Sequence, residues 1–62
     1  MTPKVDLPMA RLFWVMHHYG WTQQHIAAAF DVNQGRVNEV LKGHKYPSTK
    51  EEGYALYIDL TA

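Results

Sequence analysis

The sequence predicts an all-α chain, a small three- to four-helix bundle with two short helices around a tight turn at its centre. Three observations predict it. Apolar residues recur at helical spacing from Leu7 to Leu41. Residues that cap or stop helices (Thr22, Asn33 and Ser48 as caps, Gly20 and Gly43 as stops) divide that pattern into short segments. Sixty-two residues suffice for one domain, 1–62, which buries only about 60% of its unfolded surface.

Met1 to Val5 reads as a loose arm. The first helix, about 7–19, starts at Asp6 or Leu7, with Pro8 in its first turn where a missing N–H costs nothing. Met9, Leu12, Phe13 and Met16 make its inward stripe, and Trp14, Val15 and Tyr19 widen it. That stripe suits a packing platform better than a cofactor pocket. The second helix, about 23–30, follows the cap Thr22, with Trp21 and Ile26 as a hydrophobic staple. Ile26, Ala27 and Phe30 face inward, and Ala27 is short where two helices must cross closely. Asp31-Val32-Asn33 forms the turn, with one residue in the left-handed region that Asp and Asn tolerate. The third helix, about 34–42, follows Asn33, repeats the staple with Val32 and Val37, and turns Val37, Val40 and Leu41 inward. Gly43 ends it. Ser48-Thr49-Lys50-Glu51 reads as a capping box opening a helix over about 49–60, with Gly53 as its weak point. The alternation Tyr54, Leu56, Ile58, Leu60 also fits a strand.

The run GWTQQHIAAAFDVNQGRVNEVLKG thus has caps, turn, small residue and apolar positions in one register, the pattern of a helix-turn-helix. It resembles the two central helices of the phage repressor and Cro family of DNA-binding domains. Gly43-His44-Lys45-Tyr46-Pro47-Ser48 resembles the Gly-basic-Pro-Ser tail after that family's recognition helix. Asp31 departs from the pattern, since the family usually carries Gly there; a cost of about 1 kcal/mol is expected. The resemblance implies a small dimeric transcriptional repressor that occupies a palindromic operator.

Net charge is zero, but it is unevenly spread. Residues 1–33 balance. Residues 34–50 set Arg36, Lys42, Lys45 and Lys50 against Glu39, a surplus of three positive charges. Residues 51–62 hold Glu51, Glu52 and Asp59 with no cation. The positive block is the third helix and its exit, so a neutral chain can present a basic face to double-stranded DNA. The field is modest and one chain alone would bind weakly.

On the third helix, Gly35, Glu39 and Lys42 are expected to point away from the core, flanked by Asn38 and Arg36, with Gln34 at the tip. These are the residues a major groove would meet. Gln34 and Asn38 can pair with both edge groups of adenine, Glu39 with the cytosine amino group, and Arg36 with guanine or a phosphate. Gly35 would let the helix backbone approach the bases. Thr22, Gln23, Asn33, Lys42 and Lys45 are candidate phosphate contacts, Thr22 through the exposed amides of the helix it caps. Gln23 has this role in the resembled family. The competing reading makes Arg36, Glu39 and Lys42 ion pairs on a wet helix. Tyr54, Tyr57 and Ile58 are the expected homodimer surface; the alternative is that this segment only covers the first helix.

Other functions find little support. There is no Cys, His17 and His18 diverge by about 100° on one helix, and His25 and His44 lack ligands at metal spacing. No catalytic set, metal site, cofactor or small-molecule ligand is expected. The longest dense apolar run, Leu12 to Met16, is too short to span a membrane, and a cytoplasmic setting is the default. Two other readings remain: a protein-interaction adaptor built on the same fold, and one domain of a longer protein.

Overall fold

The computed structural model describes residues 4–62 and is all-helical among them: α1 (Leu7–His18), α2 (Gln23–Phe30), α3 (Gln34–Leu41) and α4 (Thr49–Thr61). Residues 1–3 of the expected N-terminal arm lie outside the described residues. Val5 is no loose arm: it is half-buried, packs on the core, and its carbonyl accepts a bond from the Tyr46 hydroxyl at 3.1 Å.

Each of the first three helices starts at a side-chain cap. Asp6 Oδ1 accepts from the Met9 amide at 3.0 Å, Thr22 Oγ1 from His25 at 3.2 Å, and Asn33 Oδ1 from Gly35 at 2.7 Å. Each also ends the same way. A residue with positive φ, Gly20, Asp31 or Gly43, turns the chain while two amides bond back to the last turn. These pairs are Gly20 to His17 and Trp21 to Met16, Asp31 to Ala28 and Val32 to Ala27, and Gly43 to Val40 and His44 to Glu39.

The fourth helix is a helix and not a strand, but its expected cap is absent. Ser48 has helical dihedrals and its side chain makes no capping bond. The acceptor at this helix start is instead the Tyr46 carbonyl, which takes both the hydroxyl (2.6 Å) and the amide (3.0 Å) of the fully buried Thr49. Tyr46 itself lies at φ 51°, which swings that carbonyl under the first turn of α4. Glu51 is exposed, and Glu52 pairs with Arg11 at 3.0 Å.

The core joins Phe13, Ile26, Val37 and Val40, all essentially without exposure, with Ala10, Trp14 and Ala27 around them. Phe30 is half-buried and closes the core edge-on to Phe13, ring centroids 5.2 Å apart. The expected stripe on α1 is rotated. Ala10, Phe13, Trp14 and Val15 are buried, Met9 and Met16 half-buried, and Leu12 is 39% exposed. The reason is that α1 has partners on two sides. The Phe13 side meets α2 and α3, while Arg11, Trp14 and His18 lie under α4. Tyr19, placed inside the stripe by its spacing, follows the last turn of α1 and is exposed.

Gly53 is the close-approach point of the α1–α4 pair rather than a weak point. A Cβ there would overlap the Trp14 Cβ and stand 2.9 Å from the Arg11 carbonyl oxygen. The contacts advance in the same sense along both helices, Arg11 to Glu52, Trp14 to Gly53, His18 to Tyr54 and Tyr57, Tyr19 to Tyr57, so α1 and α4 run in parallel. The Trp21 staple also differs. Its indole is 46% exposed and stands edge-on to His25, centroids 6.5 Å apart, because the turn at Gly20 holds it at the end of α1. Val32 is half-buried against the core that contains Val37.

Candidate nucleic-acid interface

The pair α2 and α3 is built for close crossing. Ala27 is buried between them, its carbonyl accepts the Val32 amide at 3.0 Å, and Asp31 at φ 54° and ψ 44° reverses the chain in three residues. Asp31 therefore adopts the left-handed conformation that the turn demands, at the cost its Cβ imposes.

From α3, Val37 and Val40 are buried and Leu41 only half-buried. The inward axis is thus centred between Val37 and Val40 instead of being drawn toward Leu41. At about 100° per residue, Gly35 and Lys42 then face outward most directly, with Asn38 on one flank and Glu39 on the other. Exposure agrees: Gln34, Gly35, Arg36 and Lys42 are exposed, while Asn38 and Glu39 are half-buried. Glu39 thus flanks the outward direction, as Asn38 does on the opposite side, instead of pointing directly along it. It leans to the side and accepts from Arg36 Nη1 at 3.3 Å. That is the i,i+3 pair of the wet-helix reading, and it occupies one of the five donors of the guanidinium. Among the described residues Lys42 makes no such pair.

Asn38 is oriented from across the turn. Gln23 Nε2, in the first turn of α2, donates to Asn38 Oδ1 at 3.5 Å, the long end of a hydrogen bond. Gln23 is half-buried and touches the third helix as well as facing outward from the second. The contact joins one candidate phosphate ligand to one candidate base reader.

Gly35 has a reason for being glycine besides its exposure. It occupies the first turn of α3, not its middle. The Asn33 carboxamide folds over it, so that a Cβ would stand 3.1 Å from Asn33 Oδ1. The Thr22 and Asn33 side chains are both engaged in capping, which leaves the amides at each helix start as their means of meeting a phosphate.

On the Glu39 side, Asn33, Arg36, Glu39, Lys45 and Tyr46 line a cleft of about 640 Å³ together with Lys4. Lys4, Val5 and Tyr46 were not legible as site residues. Tyr46 is the one with a local signal, since it lies between Gly43 and Pro47 in a loop that must reverse direction. At the junction of α1 and α2, Tyr19, Trp21, His25 and Ala28 surround a shallow apolar hollow of about 620 Å³.

The expected dimer residues lie on α4. Tyr54 is 51% and Ile58 45% exposed, whereas Tyr57 is half-buried between His18 and Tyr19, at centroid distances of 5.4 and 5.0 Å. Covering α1 and presenting an apolar face are thus both features of this helix. Among the described residues no three metal-ligating side chains come together, and no helix is long and apolar enough to cross a membrane. Comparison with family models, with curated proteins and with solved structures finds no match to the chain.

Proposed function

We propose that this chain is a sequence-specific double-stranded DNA-binding protein that lays α3 in the major groove. The observation that carries the reading is the α2–turn–α3 unit. Only Val37 and Val40 of α3 are fully buried, the tip Gln34-Gly35-Arg36 is exposed, and the Asn38 side-chain oxygen accepts from Gln23. A short helix anchored by one edge, with amides and a guanidinium on the other, matches the donor and acceptor pattern of base edges. Lys42 and Lys45 at the exit of α3 supply phosphate contacts, and Glu39 with Arg36 forms a paired acceptor and donor beside the groove floor.

A single such unit makes few contacts, so the protein acts as a dimer on a two-fold operator, with the exposed Tyr54 and Ile58 of α4 as the protomer contact. The resemblance to phage repressors supports a repressor role, exercised in the cytoplasm of a bacterial cell. The second reading, an adaptor that binds another protein, is favoured by zero net charge and the same exposed apolar residues of α4.

Selection from a random DNA duplex pool at two salt concentrations tests the proposal. The expected result is a palindromic consensus whose binding weakens steeply with salt. Gln34→Ala and Asn38→Ala each lower affinity for it by about 1–3 kcal/mol and relax the preference at one base position. Recovery of no consensus, or affinity indifferent to both changes, overturns the reading. Binding to a protein partner with little salt dependence would instead establish the adaptor.

A further inference from the structure

Tyr46 is one of two residues other than glycine with positive φ among those described. The other, Asp31, closes a helix and its short polar side chain tolerates that region. A tyrosine there is strained, and strain of this kind persists where the side chain is needed and the surroundings enforce it. The enforcement is visible: the buried Thr49 binds the Tyr46 carbonyl twice. The side chain is half-buried and its hydroxyl donates to the Val5 carbonyl, 41 residues away in the chain. That bond seats the segment before α1 against α3 and brings Lys4 to the cleft that Arg36 and Lys45 already line. Among the described residues three cations face one cleft, and the single carboxylate there, Glu39, is taken by Arg36. Among the described residues no carboxylate pairs with Lys4 or Lys45.

We propose that Tyr46 acts as a clasp, positioning Lys4 beside Arg36 and Lys45 so that the three form one cationic cleft for a backbone phosphate diester of duplex DNA. The proposal rests on the DNA-binding reading and adds a site flanking the face of α3 that would read bases. It makes Arg36 a phosphate ligand, held in place by Glu39, in preference to a guanine reader. An Arg in this role contributes through charge and its remaining donors, and the cleft keeps two uncompensated positive charges for the diester. Lys4 carries no base information, so the site strengthens binding to every sequence alike.

The test is the salt dependence of binding to the selected duplex, by titration of the intact protein. Lys4→Ala is expected to lower the slope of log K against log salt by about 0.9 per protomer, the loss of one phosphate contact, with the consensus unchanged. Lys4→Arg is expected to keep the slope. Tyr46→Phe keeps the ring and removes only the clasp; it is expected to lower the slope in the same direction, and Lys4→Ala combined with it to give no further fall. A Lys4→Ala protein with the wild-type slope overturns the cleft, and an unchanged slope in Tyr46→Phe overturns the clasp, while the DNA-binding reading stands in both cases. Absence of any wild-type binding to the pool overturns both, and so tells the two failures apart. Lys4 is exposed and outside the helices, so its replacement leaves the fold in place if Tyr46→Phe does not.

Discussion

Asp31 closes α2 with the same pair of returning amide bonds that Gly20 and Gly43 make at the ends of α1 and α3, but it alone of the three carries a Cβ. It also places a carboxylate at the negative end of a helix, where anions are disfavoured. Both effects point the same way. Asp31→Gly should raise unfolding free energy by about 1 kcal/mol. For a domain of this size that is a rise in Tm of roughly 4–8 °C, readable by thermal circular dichroism. Glycine also loses more freedom on folding than aspartate, which offsets part of the gain but not its sign, because the native dihedrals lie where glycine is unstrained. An unchanged or lower Tm would mean that Asp31 earns its place through a contact of its carboxylate.

At the scale of elements, the α1–α4 pair sets two general effects against each other at Gly53. Helix propensity favours alanine over glycine by about 1 kcal/mol. Packing opposes it, since the added carbon would meet the Trp14 Cβ and the Arg11 backbone, neither of which is the free end of a flexible side chain. Overpacking of this kind costs about 1–3 kcal/mol, more than propensity returns. Gly53→Ala should therefore lower the urea midpoint, and a raised midpoint would show that the two helices separate without loss. The same residue shows where legibility in the sequence stopped. The helices, the turn and the caps Thr22 and Asn33 were readable because each depends on residues within four positions. Gly53 and the rotation of the α1 stripe depend on pairings some forty residues apart, which periodicity does not carry, and the absence of the Ser48 cap depends on the positive φ of Tyr46, which the residue type does not announce. The candidate site divides likewise. The exposed tip of α3 followed from its apolar spacing, whereas the lean of Glu39 and the arrival of Lys4 followed from Leu41 being half-buried and from the bond between Tyr46 and Val5.

For the whole molecule, α1 packs more extensively on α4 than on α2 or α3, so the last helix covers the side of the first that α2 and α3 leave open. Little of this is electrostatic. The Arg11–Glu52 pair is more than a third exposed on both sides and should contribute well under 1 kcal/mol. What α4 supplies is cover for Trp14, together with Thr49 and Gly53, both buried. A chain ended after Ser48 should accordingly lose cooperative thermal unfolding and most of its helical circular dichroism, although α2 and α3 remain in it. Retention of a sharp transition would show that the first three helices form a sufficient core by themselves.

The parallel course of α1 and α4 has a practical consequence for handling the protein. Both helices set out from the neighbourhood of Tyr46, and α4 then carries the chain about 20 Å away over its 13 residues. An affinity tag or fluorophore on the N-terminal side meets the described chain at Lys4, in the cleft itself, whereas one joined after Ala62 is carried away from it along α4, in a molecule some 35 Å long. Labels for any binding measurement belong on the second of these ends, and the same fusion moved to the first becomes a blocking reagent for the cleft.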